Sequence, residues 1–283
     1  MNVKILAVIL LLALASLACG FSINLPNLPT PGPEVTEQLS VPVPGAGTTH
    51  LQIDFSAGEL TLSPGAGAEL ARGTATYNVS DLRPEVSVSG MDVHIRQGKF
   101  EINNLGDYRG LTNRWDLQLG SGPIDLEVQA GAYQAEYQLG GLALTALNIK
   151  DGAATVSLSF SSPNPTEMGV LRYETGASKV EIEGLANANF HTLVFDSGAG
   201  DYDLDFSGTL RRDATITIRS GLSNLVLRIP TNVNAVVSVD SGLSNVSADS
   251  SWDKNGDRYT QAGSEPTLTF VVDMGAGLLR LTD

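Results

Sequence analysis

One short pattern is written three times between Leu193 and Ala248, and it limits what this chain can fold into more than any other feature. Around Gly198 it reads Leu193-Val194-Phe195-Asp196-Ser197-Gly198-Ala199-Gly200-Asp201-Tyr202-Asp203-Leu204. It recurs around Gly221 and around Gly242. Extending the register brings in Gly152, Gly176 and Gly275, so successive central glycines lie 24, 22, 23, 21 and 33 residues apart. Five and three residues before each glycine stand large apolar side chains, such as Leu171 and Tyr173 or Ile216 and Ile218. Four and six after stand others, such as Val180 and Ile182 or Leu225 and Leu227. A spacing of two places each pair on one side of an extended strand.

A unit with four inward apolar residues cannot bury them alone, and stacking equivalent units makes one continuous core. The sequence therefore predicts an all-β chain, a single β-solenoid of stacked two-strand coils in sequence order. Each central glycine is expected at a turn that exploits positive φ, with the small or apolar residue after it (Ala153, Ala177, Ala199, Leu222, Leu243, Ala276) facing the core. Two before the glycine, Lys150, Glu174, Asp196, Arg219, Asp240 and Asp273 would stack with mostly alternating sign. Asp240 and Asp273 break that alternation, and the insertion between them is expected to separate their coils.

Residues 1–18 combine Lys4, the apolar run Ile5–Leu14 and small residues before Cys19, which describes an export signal. Cys19 is the single cysteine. Its setting resembles a bacterial lipobox, with Ser16 where Leu is commonest, and implies lipidation of Cys19 and a membrane anchor. An ordinary signal peptide with an incidental cysteine is the alternative. Residues 19–47 are proline-rich and read as a tether. Residues 48–114 read as a small N-terminal β domain, and 115–283 as the solenoid. The net charge of −14 disfavours nucleic acid as a partner.

Chemistry-bearing patterns are sparse. His50, His94 and His191 lack metal-ligand spacing. Ser197, Ser220 and Ser241 recur at one place in successive units, which suits turn hydrogen bonds better than a unique nucleophile. Glu181 and Glu183 share offsets with Asp203 and Asp205 in the next unit, so these four carboxylates would stack outward as like charges. A solvated acidic face relieved by Arg228 is the plainer reading, and a bound Ca2+ ion the sharper one. No other cofactor is indicated.

Trp115-Asp116-Leu117-Gln118-Leu119, Asp151-Gly152-Ala153, Thr175-Gly176-Ala177-Ser178, Gly184-Leu185-Ala186-Asn187-Ala188 and Gly198-Ala199-Gly200-Asp201-Tyr202 together resemble the bacterial toast-rack domains. These are similar to the extracytoplasmic part of LiaF-like cell-wall-stress proteins and to adhesin-type solenoids. The resemblance implies a β-solenoid in the cell envelope and brings no catalytic residues with it. The expectation is a non-enzymatic envelope lipoprotein that scaffolds or binds an envelope protein or glycan. The alternatives are a stress regulator of LiaF type and a carbohydrate-active enzyme.

Overall fold

The computed structural model describes residues 31–98 and 110–283. The expected export signal and Cys19 lie outside them. Fifteen strands form one sheet among the described residues, with two short 3-10 turns at Ser80–Leu82 and Leu185–Ala188. No helix among these residues is long and apolar enough to cross a membrane.

The rungs are long single strands: β2 (Thr49–Pro64), β7 (Ile124–Gln138), β8 (Leu144–Ser159), β9 (Met168–Glu183), β10 (Phe190–Asp205), β11 (Ala214–Arg228), β12 (Val233–Ala248) and β15 (Ser264–Thr282). Each runs unbroken through its central position, so the expected pair of strands per coil is one bent strand. The bend is a change of parity. Before the glycine, residues at −5, −3 and −1 point inward; after it, those at +2, +4 and +6 do, as in the burial of Leu171, Tyr173, Thr175, Ser178, Val180 and Ile182. Two consecutive residues, the glycine and its successor, therefore face solvent. Leu222 is 64% exposed, and Ala153, Ala177 and Ala199 are exposed too, so the residue after the glycine forms an outer ridge and not the core. The two arms close on each other across the interior, where the Phe195 and Tyr202 rings of one rung meet at 5.2 Å.

None of the glycines at 152, 176, 198, 221, 242 and 275 has positive φ. Their role is close approach. A Cβ at Gly198 would lie 2.4 Å from the Gly176 carbonyl oxygen, and one at Gly176 would lie 2.4 Å from that of Gly152. The glycines form a column in which each carbonyl occupies the space of the next residue's missing side chain.

The stack follows the sequence from β7 to β11 and then departs from it. The order is β2-β7-β8-β9-β10-β11-β15-β12, all in parallel. The C-terminal strand inserts between β11 and β12. Phe195 pairs with Ile218, as the repeat requires, but Ile218 then pairs with Val272 and Val272 with Val239. Asp240 and Asp273 are register neighbours, against the expectation that the insertion would part them. The insertion instead folds as a hairpin, β13 (Asp253–Asn255) and β14 (Arg258–Gln261), laid antiparallel on Ala235–Ser238 of β12.

At the opposite end the rung next to β2 is split. β5 (Asp92–Gln97) covers its first arm and β6 (Asn113–Leu119) its second, both in parallel. β4 (Pro84–Ser89) then pairs with β5, β3 (Glu69–Tyr77) with β6, and β1 (Val35–Pro42) with β3. Part of the proline-rich stretch read as a tether is thus a paired edge strand. Its terminal Pro42 suits an edge, where a missing N–H costs no ladder bond. The same buried cluster contains Leu51, Trp115 and Leu281, so sheet and core run on across residues 114 and 115.

Candidate binding surface

Outward side chains of the second arms form a regular grid, because strands lie about 4.8 Å apart and alternate residues about 7 Å apart. Across β2, β7, β8 and β9 one row runs Glu59, Gln134, Thr155, Lys179 and the next Thr61, Glu136, Ser157, Glu181. These residues line a shallow concavity of about 470 Å3. Through Glu59, Gln134 and Thr155 it joins a second one of about 570 Å3 at the outer ridge, floored by Ala57, Ala132 and Ala153 beside Leu111. Small ridge residues leave one end apolar, and the polar grid supplies donors and acceptors at the other. Two carboxylates there are already held: Glu59 by Arg114 at 2.7 Å, Glu136 by the Gln138 amide at 2.7 Å. The Arg114 guanidinium holds the Glu59 carboxyl below the usual carboxylate range.

Glu181 opposes Asp203 in register, so that part of the expected carboxylate stack forms. The Arg228 guanidinium grips Asp203 through both oxygens, Nε at 2.9 Å and Nη2 at 2.7 Å. Asp205, the last residue of β10, accepts from the Ser207 amide at 2.8 Å and hydroxyl at 2.6 Å just beyond the strand. The stack is relieved by protein donors at Asp203 and Asp205, while Glu181 and Glu183 are exposed. Among the described residues no three His, Cys, Asp or Glu side chains gather as a metal site. His94 meets Asp54 at 2.7 Å, His191 faces Glu167 at 3.5 Å, and His50 lies between Asp125 and Glu127. Ser197 and Ser220 bond to each other at 2.9 Å, and Ser220 to Ser223 at 2.7 Å.

Charge pairing along the outer row forms in part. Arg219 binds Asp196 through two bonds of 2.6 and 2.8 Å, and Lys150 faces Glu174 at 3.7 Å. Glu174 and Asp196 are like-charged neighbours, and Arg172 sits 3.7 and 3.8 Å from the pair.

The sequence pattern missed a buried polar knot inside the elbow. Asp151, at −1 in β8, is enclosed by hydroxyls from adjacent rungs. Tyr173 donates to Oδ2 at 2.8 Å, Tyr133 at 3.3 Å, and Thr175 to Oδ1. Tyr137 donates in turn to the Tyr133 hydroxyl at 3.1 Å. Burial, reinforced by neighbouring phenols and Asp151, pushes the Tyr133, Tyr137 and Tyr173 hydroxyls far up, so they remain donors. The available signal was an aspartate at −1, an inward position where the next rungs carry Thr175, Ser197 and Ser220. A carboxyl group buried among hydroxyl donors reads as a fixed structural element.

The family described as "N-terminal domain of toast_rack, DUF2154" matches residues 30–182. No curated protein matches the chain in sequence. Among solved structures, a "putative cell adhesion protein" from Clostridium sporogenes is similar at 18% identity and TM-score 0.50, covering 88% of this chain and 99% of that one. A "putative adhesin" from Bacteroides fragilis reaches 8% identity and TM-score 0.34 over 88% and 97%. The family match spans more than half the chain and includes the split rung, β2 and the first three regular rungs. The chain belongs to the toast-rack family.

Proposed function

We propose that this protein is a non-enzymatic binding module of the cell envelope, held at the membrane by lipid on Cys19 and engaging an envelope glycan or protein through its outer face. The observation that carries the reading is the continuous groove over β2, β7, β8 and β9. Its hydrogen-bonding side chains stand on strands whose inward neighbours are fully packed, so the grid is preorganised and loses little entropy on binding. Repeated donors and acceptors at strand spacing suit an extended polymer. An apolar ridge beside a polar floor suits a chain with one apolar edge.

The experiment is a glycan array probed with the folded chain, repeated with Ser157→Trp, which fills the groove floor from an exposed position. Binding that disappears in the variant at unchanged melting temperature supports the groove. Equal binding by both proteins overturns it. For the anchor, metabolic labelling with an alkyne fatty acid is expected to mark the wild type and not Cys19→Ala; labelling of neither removes the lipid from the proposal.

A further inference from the structure

The two ends of the stack are finished differently. At the β2 end both arms are covered, the first by β5 and β4 and the second by β6, β3 and β1. At the β12 end the hairpin covers Ala235–Ser238, with Asp257 accepting from the Val239 amide. Tyr259 and Trp252 close the core there. Among the described residues no strand pairs with the outer edge of β12 beyond Val239.

The inward rows register that gap. At +4, Leu225 and Leu279 are buried, whereas Val246 is half-buried; at +6, Leu227 and Leu281 are buried, whereas Ala248 is exposed. Among the described residues, no next rung lies above these two side chains of the core column. The Ser244 hydroxyl and the Trp252 indole N–H at this end are buried without a hydrogen-bond partner.

We infer that the second arm of β12 is a docking edge for an extended segment of another protein, added as one more strand and carrying basic residues at its ends. Strand addition follows from the main-chain groups: an edge offers N–H and C=O at the peptide period, which another peptide matches. The edge also lacks the lysine or proline that natural edges use to refuse partners. The basic flanks follow from charge. Asp240 stands at one end of the arm with Asp273 beside it, and Asp249 follows the other end, where it accepts from the Thr282 hydroxyl at 2.7 Å and Arg280 lies opposite Ser247. All three aspartates are exposed, so acid outweighs base along the arm. A second copy of the same arm would bring Asp240 and Asp249 with it and set like charges together, so self-pairing is the disfavoured occupant.

The test uses the folded chain and a synthetic peptide, Lys-Lys-Thr-Val-Thr-Val-Thr-Lys-Lys, with a glutamate-flanked version of the same core. The basic peptide is expected to protect amides of residues 240–248 from hydrogen exchange and to bind about ten-fold more tightly than the acidic one at low salt. Methylation of its alternate amides is expected to abolish binding. Ala248→Lys, a change at an exposed position, is expected to abolish it at unchanged melting temperature. Equal affinity for the two peptides, protection elsewhere, or no binding at millimolar peptide overturns the inference. So does a concentration-dependent dimer that Ala248→Lys dissolves, which would make a second copy the occupant. None of these outcomes depends on the groove over β2–β9.

Discussion

Gly198→Ala and Gly152→Ala form a matched pair that isolates why the elbow needs glycine. Neither position has positive φ, so alanine is allowed by backbone conformation at both. On chain entropy alone, each substitution would stabilise by about 0.4–1 kcal/mol. The difference lies in the neighbour. At Gly198 the new Cβ lies 2.4 Å from the Gly176 oxygen and 3.3 Å from its carbonyl carbon, whereas at Gly152 the closest atom is the Gly131 oxygen at 3.1 Å. Relieving the first contact needs about 1 Å of movement between two backbones tied by the ladder on both arms. Relieving the second needs a few tenths. Overpacking of the first kind costs about 1–3 kcal/mol and offsets the entropy gain. We expect Gly198→Ala to lose about 1–2 kcal/mol net, roughly 2–8 °C in a reversible thermal melt, and Gly152→Ala to stay within about 0.5 kcal/mol. Equal effects at the two sites, or stabilisation by Gly198→Ala, would refute the carbonyl-column argument.

Asp151→Ala strands the Tyr173 and Thr175 hydroxyls and should cost about 2–4 kcal/mol in chemical denaturation, with Asp151→Asn costing less because one acceptor oxygen remains; equal losses would mean that the site senses only volume. Arg228→Ala should cost under about 1 kcal/mol, the range of exposed ion pairs, and half-molar salt should erase the difference from wild type. Millimolar Ca2+ should leave the melting temperature unchanged, because Arg228 and Ser207 already occupy Asp203 and Asp205; a rise would restore the calcium site. Bonds from Tyr77 and Arg83 hold the Glu37 carboxyl below its ordinary value. A lowered carboxylate stabilises the fold above its unfolded-state value and ceases to as pH falls through its folded-state value. Amides of β1 should therefore exchange faster, relative to those of β9, as pH drops below about 4.5.

Much of the fold was legible because it is written locally and repeatedly. Period-two alternation identifies the inward residues, and those at −5 and −3 are buried throughout the regular rungs, as are those at +4 and +6 except in β12 and at Ala135 of β7, which is half-buried. The glycine column is visible as a repeat, but its reason is not. A single unit shows a turn-like glycine, and only the neighbouring carbonyl shows that the constraint is distance. The outward turn of the residue after the glycine is hidden for a related cause: a bend that sends two consecutive residues outward breaks the period-two alternation.

Local pattern specifies the rung: its length, most of its inward side chains and the necessity of stacking, since four apolar residues on one strand have no other burial. Where the stack departs from chain order is settled only by long-range pairing. The order β11-β15-β12, the meeting of Asp240 with Asp273, the hydroxyls around Asp151 and the uncovered arm of β12 all join residues far apart in the chain. Equivalent rungs present nearly interchangeable edges, so the alternation that specifies each of them cannot specify its neighbour.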